Sequence, residues 1–569
     1  MPVAPHLKNK QTASAPSPAT YTSWRFGDLS AAELLPQLQR YLCAQNPKAN
    51  WQLVWLNNDG HPVIGLLPKM SWSVFYFTDD AACSDKQAPI YKVMKNYRDG
   101  SPSHDKTNQA VTSAYMSYSD WQEELVAYSQ AYDIHDTHNN NSSSTTEIDQ
   151  QPFYQHGLIG FIGYDIAAHE LSPAAKIELA AQTCAVLGHY DIYLTLNAEQ
   201  TSWQLTIKDS FTVTNKEDNG QKSILVTQLI SYLDKLDSKL SNQNLEKLVL
   251  ENSYQTTPLL LEAQWSKRDY QQAFEQTQKY LQQGDCYQIN LTQQWQGAFN
   301  QSLTDNVTPK LIDYLPALHR NTQAPFAGYL AVNNFDSEMS VDTQDNQFEL
   351  LSCSPELFFT FNKDGNTGKH HIRTKPIKGT MPRGLNIEQD NAYKQHLIDS
   401  EKDRAENVMI VDLLRNDLGK YAKIGSVKVP QLFAIESFSN VHHMVSTITA
   451  ELKTDTHPLK VLFGSLPAGS ITGTPKKRAV EIISELEGAA RGAYCGTLGY
   501  MNFDGSGQWN VLIRTLQAQH KLGKAGQVSL WAGGGITVAS DCDAEYQECL
   551  DKVGNLLGVL TQDNIKKGT

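Results

Sequence analysis

The sequence predicts a chain of mixed helix and strand, of the α+β class, and two patterns predict it. Apolar residues recur at helical spacing over residues 31–42, where Leu34, Leu35, Leu38, Tyr41 and Leu42 share one face, and helical patterns return over residues 267–282 and from Ser400 onward. Runs rich in Val, Ile, Phe, Tyr and Trp, as over residues 51–56, 73–77 and 190–196, read as strands. The 569 residues exceed one ordinary core, so two to four domain-sized units or one large composite fold is expected.

The apolar fraction of 40% and charged fraction of 19% are those of a globular protein. A net charge of −13 argues against a general nucleic-acid binder, which needs clustered Lys and Arg to displace counterions; anionic small molecules stay open to it if a metal or local basic groups reverse the sign. Eight scattered cysteines without a CxxC pair fit a reduced, cytoplasmic setting and argue against a thiolate zinc site. The N-terminus has no apolar core of signal-peptide type, and no stretch approaches the roughly 18 apolar residues that span a bilayer.

In chain order, residues 1–20 read as a disordered tail, and the Asn/Ser/Thr-rich composition near residues 134–151 as a mobile surface insertion. The run GLIGFIGYD (157–165) has G-x-x-G-x-x-G spacing, which does not fit a dinucleotide loop and instead predicts a buried strand with close backbone packing. Strands are expected over residues 190–196 and 203–207, then a charged amphipathic helix over 223–240 and a polar linker to about residue 261. The regions 21–260 and 261–569 therefore differ in kind, and motif density lies in the second. There, Gly284 stops the 267–282 helix and residues 285–292 alternate as a strand.

In Lys375-Pro376-Ile377-Lys378-Gly379-Thr380 a lysine sits between isoleucine and glycine just past a proline, on constrained backbone, shortly after the acid Glu356. A desolvated lysine is a nucleophile and a carboxyl of raised pKa an acid, although most lysines in such turns are simply solvated. Ser400 as a helix cap puts Asp403 in a first turn with Glu406 on the same face, and Glu545 and Glu548 repeat that spacing near the C-terminus, one turn before Lys552. Two helices offering carboxylate pairs suit magnesium, a hard cation that takes oxygen ligands; solvated acidic faces are the plain alternative.

Residues 468–476 form a glycine-spaced loop entering a helix, with Thr474 as expected cap and Pro475 at its first position, and do not fit a phosphate loop. Strands are expected over residues 494–500, 510–515 and 531–536, with a hairpin at Asp504-Gly505. Arg514 interrupts apolar alternation, a costly placement unless the guanidinium meets an anion or a protein carboxylate. His442 and His443 stand at a strand entry, where a core histidine is the default.

In order, these pieces resemble the chorismate-utilising enzymes. The likeness covers residues 268–558 and rests on GDCYQINLT (284–292), SCSPELF (352–358), PIKGT (376–380), KDRAENVMIVDLLRNDLG (402–419), GSITGTPKKRA (469–479) and E-x-x-E-x-x-x-K (545–552). The run at 157–165 is similar to the N-terminal region of the amine-transferring, anthranilate synthase component I-like members. For the fold, the resemblance implies two large, mainly antiparallel sheets packed as a sandwich with helices outside, an α/β/β/α arrangement.

For chemistry, members that make anthranilate look like P-I-A-G-T where this chain has P-I-K-G-T, the form found in members that make 4-amino-4-deoxychorismate for p-aminobenzoate and folate synthesis. The resemblance implies Glu356 as acid, Lys378 as nucleophile and His443 in a supporting catalytic role. It implies Gly379, Thr380, Tyr494, Arg514, Gly533, Gly535 and Lys552 as substrate-binding residues, and Mg2+ on Glu406 and Glu548, with Asp403 and Glu545 near it or acting through water. Asp403 stands where glutamate is common, and Leu56-Asn57 where tryptophan-binding members carry Leu-Leu-Glu-Ser. The chain has no G-x-C-x-G glutaminase segment, so ammonia is expected from a separate glutamine amidotransferase subunit, a heterodimeric partner, or from solution. Lys378 stands against the anthranilate alternative, and the presence of Glu356, Lys378, Glu406 and Glu548 together stands against a non-catalytic relative.

Overall fold

The computed structural model describes residues 19–45, 51–76, 90–98, 111–137, 151–208, 219–242, 257–300, 309–335, 345–438, 441–521 and 525–561. The expected tail up to residue 18 and the expected insertion over 138–150 lie outside them. Residues 19 and 20 open the Ala19–Trp24 strand, and the Tyr118–Thr137 helix runs into the start of the expected insertion.

Two sheets of twelve strands each, all paired antiparallel, form the centre. The first runs Ala19–Trp24, Trp203–Ile207, Ile192–Leu196, Val63–Leu66, Gln52–Leu56, Phe326–Phe335, Asp345–Ser354, Thr515–Lys521, Gln527–Ile536, Gln288–Ala298 and Glu262–Ala263. The second runs Ile377–Pro382, Val441–Glu451, His370–Thr374, Leu357–Lys363, Gly507–Asn510, Thr497–Asn502, Gly157–Ile162, Ala185–Tyr190, Met70–Tyr76, Ile90–Tyr97 and Val111–Ser117. Short Gly473–Thr474 joins Gln288–Ala298, and Lys428–Ser437 joins Val441–Glu451.

Side-chain alternation explains the layers. In Gln52–Leu56, Leu53 and Trp55 face a cluster shared with the Ala31–Gln45, Leu311–Thr322 and Cys542–Leu560 helices, whereas Val54 and Leu56 face the other sheet. In Gly157–Ile162, Leu158 and Ile162 face a cluster shared with the Tyr118–Thr137 and Glu401–Gly419 helices, whereas Ile159 and Phe161 meet Leu330, Phe348 and Leu350 of the first sheet. Strands covered on both faces read as continuous apolar runs, and the outcome is the expected helix, sheet, sheet, helix sandwich. A Cβ on Gly160 would stand 1.9 Å from the Val186 carbonyl oxygen, so the glycine spacing serves close strand packing, as expected.

Both sheets take strands from either side of the boundary expected near residue 260. The chain passes between sheets at buried corners. Ala185–Tyr190 and Ile192–Leu196 lie in different sheets, and Asp191 between them is held by the Arg98 guanidinium at 2.7 and 2.8 Å.

Four local expectations are corrected. The run over residues 190–196 is not one strand, because it passes from one sheet to the other at Asp191. Residues 510–515 are not one strand: Gly507–Asn510 ends in one sheet, Thr515–Lys521 begins in the other, and Arg514 turns the chain with φ of 52°. The helix after the 468–476 loop begins at Lys476 with Pro475 in the cap position, because Thr474 is taken into pairing with Gln288. Tyr494 precedes its strand, which starts at Thr497. Among the described residues seven cysteines are free, and no helix is long and apolar enough to cross a membrane.

Candidate active site

One cleft of about 530 Å³ opens where the edge strand Ile377–Pro382, the glycine-rich end of Gln527–Ile536, the crossover at Arg514 and the helices Glu401–Gly419 and Cys542–Leu560 meet. Its volume is in the range of small-molecule sites. All fourteen residues expected to act on substrate or metal line it: Glu356, Lys378, Gly379, Thr380, Asp403, Glu406, His443, Tyr494, Arg514, Gly533, Gly535, Glu545, Glu548 and Lys552.

The PIKGT run is neither a free turn nor a regular strand. Ile377 pairs with Val445 and Thr380 with His443, so three steps on one strand oppose two on the other. The extra residue makes a β-bulge, and Gly379 takes φ of 80° within it. A Cβ there would stand 3.0 Å from the Asp403 carboxyl carbon and 3.1 Å from Leu397. The bulge places Lys378 on the cleft wall, with its ammonium 3.3 Å from a Glu406 oxygen.

Glu356 is buried on the same cleft, and burial pushes its carboxyl up to about 7, against the pull of Lys378, Lys552 and Arg514 and a hydrogen bond with Ser470. Near neutrality such a group exchanges a proton readily. Arg514 is partly buried, and burial lowers its pKa against the nearby Glu356 carboxyl, which acts on it without closing to an ion pair among the described residues. Its left-handed backbone, rare outside glycine, goes with that placement. Tyr494 stacks on Trp531 with ring centroids 6.1 Å apart.

Successive histidines point to opposite sides of their strand. His442 bonds Asp390 and Ser437, each at 2.8 Å, whereas His443 Nδ1 lies 2.8 Å from the Thr380 hydroxyl beside the cleft. Burial, with Arg514 adding to it, lowers His443 to about 4, so its ring is neutral at neutral pH.

Ser400 ends the Ile387–Asp399 helix and caps Glu401–Gly419 by accepting from the Asp403 N–H at 3.2 Å, which sets the first carboxylate pair on the cleft. Asp541 likewise caps Cys542–Leu560. The four carboxylates face one cleft but do not close on a point: among the described residues, no three His, Cys, Asp or Glu side chains converge as a metal cage. Each of three is paired with a lysine instead, Glu406 with Lys378 at 3.3 Å, Glu545 with Lys402 at 3.4 Å and Glu548 with Lys552 at 2.7 Å. The all-oxygen donor set still fits magnesium, which commonly binds one or two carboxylates and keeps waters.

Lys552 also donates to the Gly533 carbonyl at 2.9 Å. That carbonyl therefore turns toward the Cys542–Leu560 helix, and in an extended strand the N–H groups of Gly533 and Gly535 turn to the same side. Sequence reasoning missed Lys402, Ser470, Asn290 and Trp531, which also line the cleft. The first three lie inside quoted motifs, the available signal, but nothing local separates them from their structural neighbours.

A sequence profile of the family described as chorismate binding enzyme matches residues 97–558. The chain is 36% identical over 409 residues to aminodeoxychorismate synthase component 1 of Salmonella typhimurium, covering 71% of this chain and 76% of that one. It is 36% identical over 427 residues to the protein of that name from Escherichia coli, covering 75% and 79%. Among solved structures, anthranilate synthase component I from Streptococcus pneumoniae superposes with a TM-score of 0.60 at 20% identity, covering 87% of this chain and 91% of that one, which shows the shared fold.

Proposed function

The chain belongs to the chorismate binding enzyme family, and from that premise we propose that it aminates chorismate to 4-amino-4-deoxychorismate, the product named by its relatives aminodeoxychorismate synthase component 1. The observation that carries the reading is that Lys378, on its bulge, and Glu356, a buried carboxyl pushed up to about 7, line one cleft.

Glu356 gives its proton to the hydroxyl leaving ring carbon 4, which departs as water. Lys378, once its ammonium has given a proton to solvent, bonds to carbon 2 through the freed electron pair, and the displacement runs through the ring's conjugated double bonds. Ammonia then bonds at carbon 4, the double bonds shift back, and the lysine leaves from carbon 2. With lysine on carbon 2, external nitrogen has only carbon 4 to enter, which is why the residue at this position sorts the products. Arg514, Tyr494, Lys552 and the N–H groups of Gly533 and Gly535 orient the two substrate carboxylates, Gly379 and Thr380 shape the floor, and neutral His443 flanks the ring.

Glu406 and Glu548 would hold a magnesium ion, with Asp403 and Glu545 beside it or acting through water, and the ion supplies positive charge for the ring carboxylate. Ammonia comes from a separate glutamine amidotransferase subunit or from solution. Purified chain with chorismate, magnesium and ammonium is expected to form 4-amino-4-deoxychorismate, identified by chromatography and mass; anthranilate as the main product overturns the reading.

A further inference from the structure

Lys402 has no part in the chemistry above, yet it lies between the two acidic helices. It sits in the first turn of Glu401–Gly419, lines the cleft, and places its ammonium 3.4 Å from Glu545 of the opposite helix and 4.0 Å from Glu406 of its own. Lys378 and Lys552 also pair with carboxylates here, but each has another use at the site. Glu545 is buried and also accepts from the Ser540 hydroxyl at 2.8 Å, so one partner of the Lys402 bridge is fixed in place.

We propose that Lys402 is a positioning residue that acts as a built-in competitor of the divalent cation: its ammonium bridges the carboxylates of both helices and must swing out before an ion can take them. This rests on the reading of those carboxylates as a cation site. The chemistry favours exchange. The lysine side chain is 54% exposed, so it leaves toward water at small desolvation cost, and a doubly charged ion satisfies two carboxylates better than one ammonium does. While Lys402 is in place it offsets like-charge repulsion between the helices, so the cleft keeps its shape before the ion arrives.

The test is magnesium binding to the full chain without chorismate, by calorimetry, together with the rise in Tm that magnesium produces. Lys402→Met keeps the stem and removes the charge; Lys402→Arg keeps a charge. Lys402→Met is expected to bind magnesium about three- to tenfold tighter, to melt lower without magnesium, and to gain more in Tm from it. Lys402→Arg is expected to stay close to wild type. Lys402→Gln repeats the comparison should Lys402→Met fail to fold. Wild type that binds magnesium while the neutral variants bind it no tighter overturns the competitor role alone. Failure of every form to bind magnesium overturns the cation-site reading and this inference with it.

Discussion

In the proposed reaction Glu356 is the acid, and the burial that raises its carboxyl against three nearby cations has two consequences of opposite sign. Its folded-state pKa lies above the usual carboxylate value, so it favours folding most below about pH 4.5 and loses that contribution as pH rises through about 7. Glu356→Gln is therefore expected to raise Tm at pH 8 to 9 while cutting the rate of adduct formation from chorismate by about two orders of magnitude or more. For the wild type without ammonia, the limb of the pH–rate profile set by Glu356 should fall as pH rises through about 7, and Glu356→Gln should abolish it; stopped-flow or quench kinetics over pH 6 to 9 decides this. That Glu356, Lys378 and the paired acids would share one cleft was legible in the motifs and their spacing. The environment that sets the Glu356 pKa was not, because Lys378, Lys552, Arg514 and Ser470 come from distant segments.

At the scale of elements, the bulge that aims Lys378 depends on Gly379. Gly379→Ala meets both a left-handed φ and a 3.0 Å approach to Asp403, a strain of about 1–2 kcal/mol, and is expected to slow adduct formation at least tenfold while leaving most of the fold intact by circular dichroism. The cap was legible where Ser400 precedes its periodic run, whereas the Ser266–Asp269 capping box of the Lys267–Gln282 helix emerged only in the structure. The bulge was not legible, since it exists only relative to the partner strand Val441–Glu451. Arg514 failed for the same reason: a continuous apolar run looks alike whether it stays in one sheet or crosses to another, and the crossing is fixed by partners such as Asp345–Ser354 and Leu357–Lys363.

For the whole molecule, each sheet mixes strands from before and after residue 260, and the layer between the sheets joins Val54 and Ile159 to Leu350 and Leu498. The two parts are expected to unfold together in one calorimetric transition, and residues 261–569 expressed alone are expected to lack cooperative melting; two separate transitions of the full chain would contradict this. Mixed helix and strand content was visible in periodicity, and the sandwich came from the family resemblance. Strand order follows from pairings hundreds of residues apart, such as Gly157–Ile162 with Thr497–Asn502, which no local pattern encodes.

All three scales meet at Lys378, the proposed nucleophile, which stands on a sheet edge, in a bulge and on the same cleft as Glu356. Intact-protein mass spectrometry of the chain given chorismate and magnesium without ammonia tests that claim most directly. An added mass equal to chorismate less one water, mapped to the peptide carrying Lys378, lost on adding ammonium and absent in Lys378→Ala, is the predicted result; turnover to 4-amino-4-deoxychorismate with no such adduct on any quenched sample would contradict it.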